Sequence, residues 1–252
     1  MSTIGLIARN DLRRQFVQPL AWGLLALVCA LFAWQFLVAV DAFLQAMPKL
    51  ATLANAPGVT DLVALPLLRN ASAVLLFVVP LLTMQSLVGE RRAQTLPLLL
   101  AADAGSLRIV LGKFLGAFVV VALVVALAVA MPLSLAAGTT LDCGRLFTAA
   151  IGILLFAGTL TAIGIACSAW TAHPALAAAA TLVIGSVLVM LDVGARLRAV
   201  DHALINWLAM SSHLEPFLRG VLDSSAVVYF VVISTLALLL AARRLDTLRS
   251  RG

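Results

Sequence analysis

The sequence predicts an all-α integral membrane protein with six transmembrane helices, and three observations carry that prediction. Hydrophobic residues make up 63% of the 252 and charged residues 11%, with a mean hydropathy of +1.12. A soluble domain carries about a quarter charged residues. Six separate segments are apolar over the ~20 residues that a helix needs to cross ~30 Å of hydrocarbon. The lysines and arginines between those segments are unevenly shared between alternate connections, as membrane orientation requires.

The elements follow in order. Residues 1–18 place Ile4, Ile7, Leu12 and Phe16 near one helical face, with Arg9, Arg13 and Arg14 free for lipid headgroups. That pattern predicts an amphipathic interfacial helix. The spans are expected at residues 19–40, 71–88, 110–131, 147–170, 174–191 and 226–242. Pro80 lies inside the second and should kink it without ending it. The first span follows a charged N-terminus but no small-x-small cleavage site, so it reads as a retained anchor. Gly152, Gly158, Gly164 and Ser168 give the fourth span small residues that allow close helix packing. Residues 41–70, with Pro48, Pro57, Gly58 and Pro66, read as a loop. Residues 193–225 are too long for a turn and too polar to span, and LINWLAM and HLEPFLRGVL within them suggest short helices dipping into a leaflet.

With the N-terminus inside, eleven of the 17 lysines and arginines fall on inner segments. Lys49, Arg69, Arg145, Arg196, Arg198 and Arg219 fall outside. The orientation is therefore N-in and C-in. It also accounts for the net charge of +6, which forms no basic patch on a soluble face, so nucleic acid is not a partner. The whole chain reads as one membrane domain, with residues 89–108 as a cytoplasmic segment and 193–225 as an extracytoplasmic one.

Few residues offer chemistry. There is no GxxxxGK[ST], so the chain has no P-loop of its own. Cys29, Cys143 and Cys167 form no CxxC, and the histidines show no metal spacing. His213 and Glu215 are two apart and point to different faces of a helix. They fit a polar segment where Ser212 caps a helix start and Glu215 and Pro216 occupy its first turn. A charge at membrane depth costs on the order of 3 kcal/mol or more. The spans carry essentially none, and Lys113 is expected to snorkel from a span end.

The exception to the apolar habit is SLVGERRAQTLPLLLAADAGSLRIVLGKFLGA, residues 86–117. Glu90, Arg91 and Arg92 precede a short apolar run, ADAGS is a turn signal, and Ser106 could cap the helix that becomes the third span. On its residues alone this is either an inner loop that fixes topology or a docking element for a cytoplasmic motor.

VVPLLTMQSLVGERRAQTLPLLLAADAGSLRIVLGKFLGA resembles the corresponding segment of ABC exporter permeases of the gliding-motility (GldF/NosY-like) type. The matches run through Pro80, Thr83, Met84, Glu90, Arg91, Arg92, Thr95, Leu96, Leu98, Leu99 and Ile109–Phe114. ARNDLRRQFVQPLAW and HLEPFLRGVLDSSAVVYF are similar to that family's N-terminal helix and its segment before the sixth span. The chain departs from the pattern at Gln94, where glycine is usual, at Pro97, where an acid is common, and at Ala102-Asp103, where Ser-Pro is common.

The resemblance implies a permease subunit of an ATP-driven exporter, not itself an enzyme, in a bacterial inner membrane. It would pair with a second copy or paralogue over two ABC ATPase subunits, which would bind the ATP and Mg. A companion membrane protein with a large extracytoplasmic domain would fit the same family. A coupling helix containing Glu90, Arg91, Arg92, Thr95, Leu96 and Leu99 would meet the ATPases, alongside the N-terminal helix with Arg9, Arg13 and Arg14. Two alternatives are a non-transporting anchor that transmits force to an extracytoplasmic partner, and an intramembrane hydrolase. The hydrolase needs convergent polar residues at membrane depth, which the spans do not offer.

Overall fold

A computed structural model describes residues 3–50, 58–94, 105–139, 141–198 and 207–250. Among them every regular element is a helix: α1 (Thr3–Val17), α2 (Pro19–Leu50), a π-helical turn (Thr60–Ala64), α3 (Leu65–Thr83), α4 (Val88–Arg92), α5 (Ser106–Leu133), a 3-10 turn (Ser134–Ala137), α6 (Cys143–Trp170), α7 (Pro174–Arg198), α8 (Met210–Leu218) and α9 (Ser224–Arg249). Six stretches, within α2, Thr60–Arg92, α5 with its 3-10 turn, α6, α7 and α9, are long and apolar enough to cross a membrane.

Local sequence sets several of these boundaries. Asp142 caps α6 by accepting the Arg145 amide at 3.1 Å, and Asp223 caps α9 by accepting the Ser225 amide at 3.0 Å. The Ser225 hydroxyl and amide hold the exposed Asp223 carboxyl below its ordinary pKa. Pro174 opens α7, where a missing amide proton costs nothing.

Three expectations need correction. Residues 41–70 are helical at both ends, because Ala42, Leu44, Gln45, Ala46 and Met47 are good helix formers and continue α2 to Leu50. The Gln45 amide also donates to Asp41 Oδ2 one turn back, at 2.8 Å. Hydropathy falls there while helicity does not. The helix containing HLEPFL starts at Met210 with Ala209 as its cap residue, so Ser212 lies inside it and its hydroxyl donates to Ala209 O. The apolar face of that helix meets protein: Met210, Leu214, Phe217 and Leu218 are buried against the bundle. Of LINWLAM, residues 204–206 lie outside the described residues, and Trp207 and Leu208 are helical just before Ala209.

The bundle is organised around α6. Two thirds (67%) of its most apolar stretch is buried, against 17% for α2 and for α7. Small residues make this possible. A methyl group on Gly152 would collide with Phe217 of α8, and one on Gly158 would lie 3.1 Å from Phe118 of α5. On Gly164 it would collide with Thr83 of α3. Polar side chains reinforce the contacts, as where the Thr159 hydroxyl meets Ser234 Oγ of α9 at 2.9 Å.

Candidate functional site

One end of the bundle gathers α1, α4, the start of α5, the ends of α6 and α9, and the start of α7. α1 lies against α5 at Gly112 and Gly116. A methyl group on Gly112 would sit 2.7 Å from Ile7 Cγ2, and one on Gly116 would sit 3.1 Å from Ala8 O and Asp11 Cβ. The two glycines thus bring the backbone of α1 into contact and carry Asp11 into the protein. Arg9, Arg13 and Arg14 occupy the exposed side of α1, while Leu12 and Phe16 pack on the core.

Between those glycines stands Lys113, and here the snorkelling expectation fails. Its side chain is 1% exposed. Its ammonium lies 3.1 Å from Asp11 Oδ1 and 2.8 Å from Glu90 Oε1, so one buried cation joins α1, α5 and α4. Snorkelling requires an open path to water, and α1 covers that path. The Gln15 amide donates to Asp11 Oδ2 at 3.0 Å and fixes the carboxylate's orientation.

The rest of α4 is secured in the same manner. The Arg91 guanidinium donates to Ala169 O at 3.2 Å and Thr171 O at 3.3 Å, satisfying carbonyls where α6 ends. Arg92 Nη2 donates to His173 Nδ1 at 2.8 Å, which ties α4 to the turn before α7. Next to these, Arg244 of α9 stacks over the Trp170 ring, 5.1 Å from its centroid. Ser106 does not cap α5: Gly105 holds that position, and the Ser106 hydroxyl donates to Asp246 Oδ1 of α9 at 2.5 Å.

The connection between α3 and α4 shows how a helix can break inside the bundle. α3 ends one turn after Pro80, and residues 84–87 form turns. The Leu87 and Val88 amides, without an ordinary helical partner, both donate to Ser168 Oγ of α6, at 3.0 and 3.2 Å. The Ser168 hydroxyl in turn donates to Met84 O at 3.3 Å. After α4 the chain turns at Gln94 with φ of 56°, the left-handed conformation that glycine adopts without cost. Gln94 therefore keeps the backbone shape that the expected glycine would supply.

Of the residues singled out in the sequence, Glu90, Arg91 and Arg92 come together at this end with Lys113; Thr95, Leu96 and Leu99 lie outside the described residues. Asp11 was missed. The readable signal was its spacing, since positions 4, 7 and 11 share one helical face and put a carboxylate on the apolar stripe. His213 and Glu215 separate as expected: His213 stacks on Tyr229 and Glu215 pairs with Arg69. Among the described residues no group of histidines, cysteines and acids could hold a metal ion.

A multi-pass helical membrane protein with a charged junction at one end fits the class of ABC transporter permeases. The chain belongs to the ABC-2 family transporter proteins, whose family model matches residues 6–246. That membership implies association with ABC ATPase partners. Comparison with the curated proteins gives no match.

Proposed function

We propose that the chain is the permease subunit of a gliding-motility-type ABC exporter in a bacterial inner membrane, oriented N-in and C-in. It pairs with a second copy or paralogue above two ATPase subunits, which bind the ATP and Mg. The segment starting at α4 receives the motor, with a companion extracytoplasmic protein on the other side. The observation that carries this reading is the Asp11–Lys113–Glu90 triad, by which a push on α4 is felt at once by α1 and α5. Arg91 extends the same linkage to α6. In this division of work Glu90, Arg91 and Arg92 pass force into the bundle, while Thr95, Leu96 and Leu99 make the contact. Nucleotide-driven movement of the ATPases then tilts connected helices as rigid bodies.

The test is a pair of variants in the intact complex. Leu96→Glu with Leu99→Glu should abolish co-purification of the ATPase while leaving the permease folded. Glu90→Gln should retain co-purification and lose permease-stimulated ATP hydrolysis. Full association and stimulated activity in both variants would overturn the assignment. Flux measured in vesicles with and without ATP separates export from force transmission to an extracytoplasmic partner.

A further inference from the structure

The opposite end of the bundle holds a cavity of about 310 Å³ lined by Asp61, Leu65, Arg69, Arg145, Glu215 and Arg219, with Pro66 and Leu218 completing the wall. This is the small end of ligand-pocket volumes, roughly 300–1,000 Å³. Its arginines come from three separate elements: α3, the first turn of α6, and the residue after α8. They are half of the six basic residues assigned above to outer segments, where the positive-inside tendency disfavours them. Their convergence on one cavity calls for a reason beyond topology.

Three guanidinium groups share two carboxylates here. Arg69 Nη2 donates to both oxygens of Glu215, at 2.7 and 2.8 Å. Arg219 approaches the same carboxylate at 3.4 Å, and Arg145 Nη1 donates to Asp61 Oδ1 at 2.7 Å. The residues lining the cavity thus carry one positive charge in excess. It also has donors in excess, since each guanidinium carries five. Arg145 Nε is shielded from solvent and has no acceptor among the described residues. Gly220, in the left-handed conformation at φ 89°, makes room for this side chain: a methyl group there would lie 2.7 Å from Arg145 Cγ. The remaining wall is apolar, and Val221 and Leu222 just beyond Gly220 are more than half exposed.

We propose that this cavity binds a phosphate group carried as the head of an amphipathic molecule. Surplus guanidinium donors take the phosphate oxygens in forked pairs, and the apolar wall and rim take the first part of the tail. The proposal concerns binding alone and does not depend on the ATPase contact assigned above.

The experiment uses the full chain, purified in a non-ionic detergent, titrated calorimetrically with dihexanoyl phosphatidylglycerol and, separately, with inorganic phosphate. Saturable binding of the lipid, with inorganic phosphate at least tenfold weaker, is the expected result. Equal affinity for both keeps the phosphate site and assigns it to the free anion. Arg69→Gln and Arg145→Gln should each weaken binding about tenfold or more, as loss of a charge-assisted contact does. Arg219→Gln, at the most exposed of the three, serves where Arg145→Gln does not fold. Glu215→Gln separates the proposal from a purely structural role. It removes the competing carboxylate and should raise affinity several-fold, whereas a mere strut would gain nothing. Absence of saturable binding by either probe, or affinity unchanged in the arginine variants or lowered in Glu215→Gln, would overturn the proposal.

Discussion

The two ends of this bundle use the same ion-pair chemistry at opposite extremes of solvent exposure. At one end the Lys113 side chain is 1% exposed and lies between carboxylates from two other helices. At the other, Arg69 is 62% and Arg219 72% exposed, around a carboxylate that is itself partly open. A pair out of water cannot lose one member without leaving an uncompensated charge. A pair in water can, because solvent and salt screen what remains. The buried end is therefore committed to one arrangement, whereas the open end can exchange its partners for a ligand.

The comparison breaks most decisively at Lys113. Lys113→Met should cost about 3–5 kcal/mol, as removal of one partner from a buried ion pair does. Adding Asp11→Leu and Glu90→Leu should recover most of that loss while abolishing coupling. Unfolding followed by tryptophan fluorescence measures both, and a loss under ~1 kcal/mol would show that the ammonium reaches water. Next in size is Ser168→Ala. It leaves the Leu87 and Val88 amides without their acceptor, at an expected cost of about 1–3 kcal/mol in the same assay. Arg69→Gln at the open end should fall within roughly 0.2–1 kcal/mol and shrink further in high salt. The smallest effect is a gain. Gln94→Gly relieves a left-handed residue, and after the greater backbone freedom of glycine is set against it, about 0.5 kcal/mol of stabilisation should remain. Gln94→Val, stiffer at its Cβ, should shift stability in the opposite direction.

How much of this was readable in the sequence depends on distance along the chain. Six apolar runs, the packing glycines of α6 and the charged α4 segment are local patterns, and each corresponds to an element at that place. The departure at Gln94 was also visible as a residue, but only a backbone angle shows that it preserves the expected turn. Lys113 was misread because its role rests on Asp11, 102 residues away. No periodicity reports such a pairing. The GKFLG motif around it was the nearest hint, since glycines on both sides of a lysine invite another helix to lie over it. Helical residues at 41–50 were missed for a different reason: hydropathy marks where lipid could be, and intrinsic helix propensity continues past that point.

The position of Asp11 also sets an order of events during synthesis. α1 is made before α5, yet its face at Ile7 and Asp11 has no counterpart until Gly112, Lys113 and Gly116 have been added about a hundred residues later. At roughly 5–20 residues per second the interval is on the order of 5–20 s. Throughout it α1 carries a carboxylate on its apolar side with no cation to pair it, only the Gln15 amide of the same helix. A nascent chain arrested before Lys113 should thus leave α1 open to protease, and one arrested beyond the third span should protect it. A helix made before α5 thus reaches its final place only after α5.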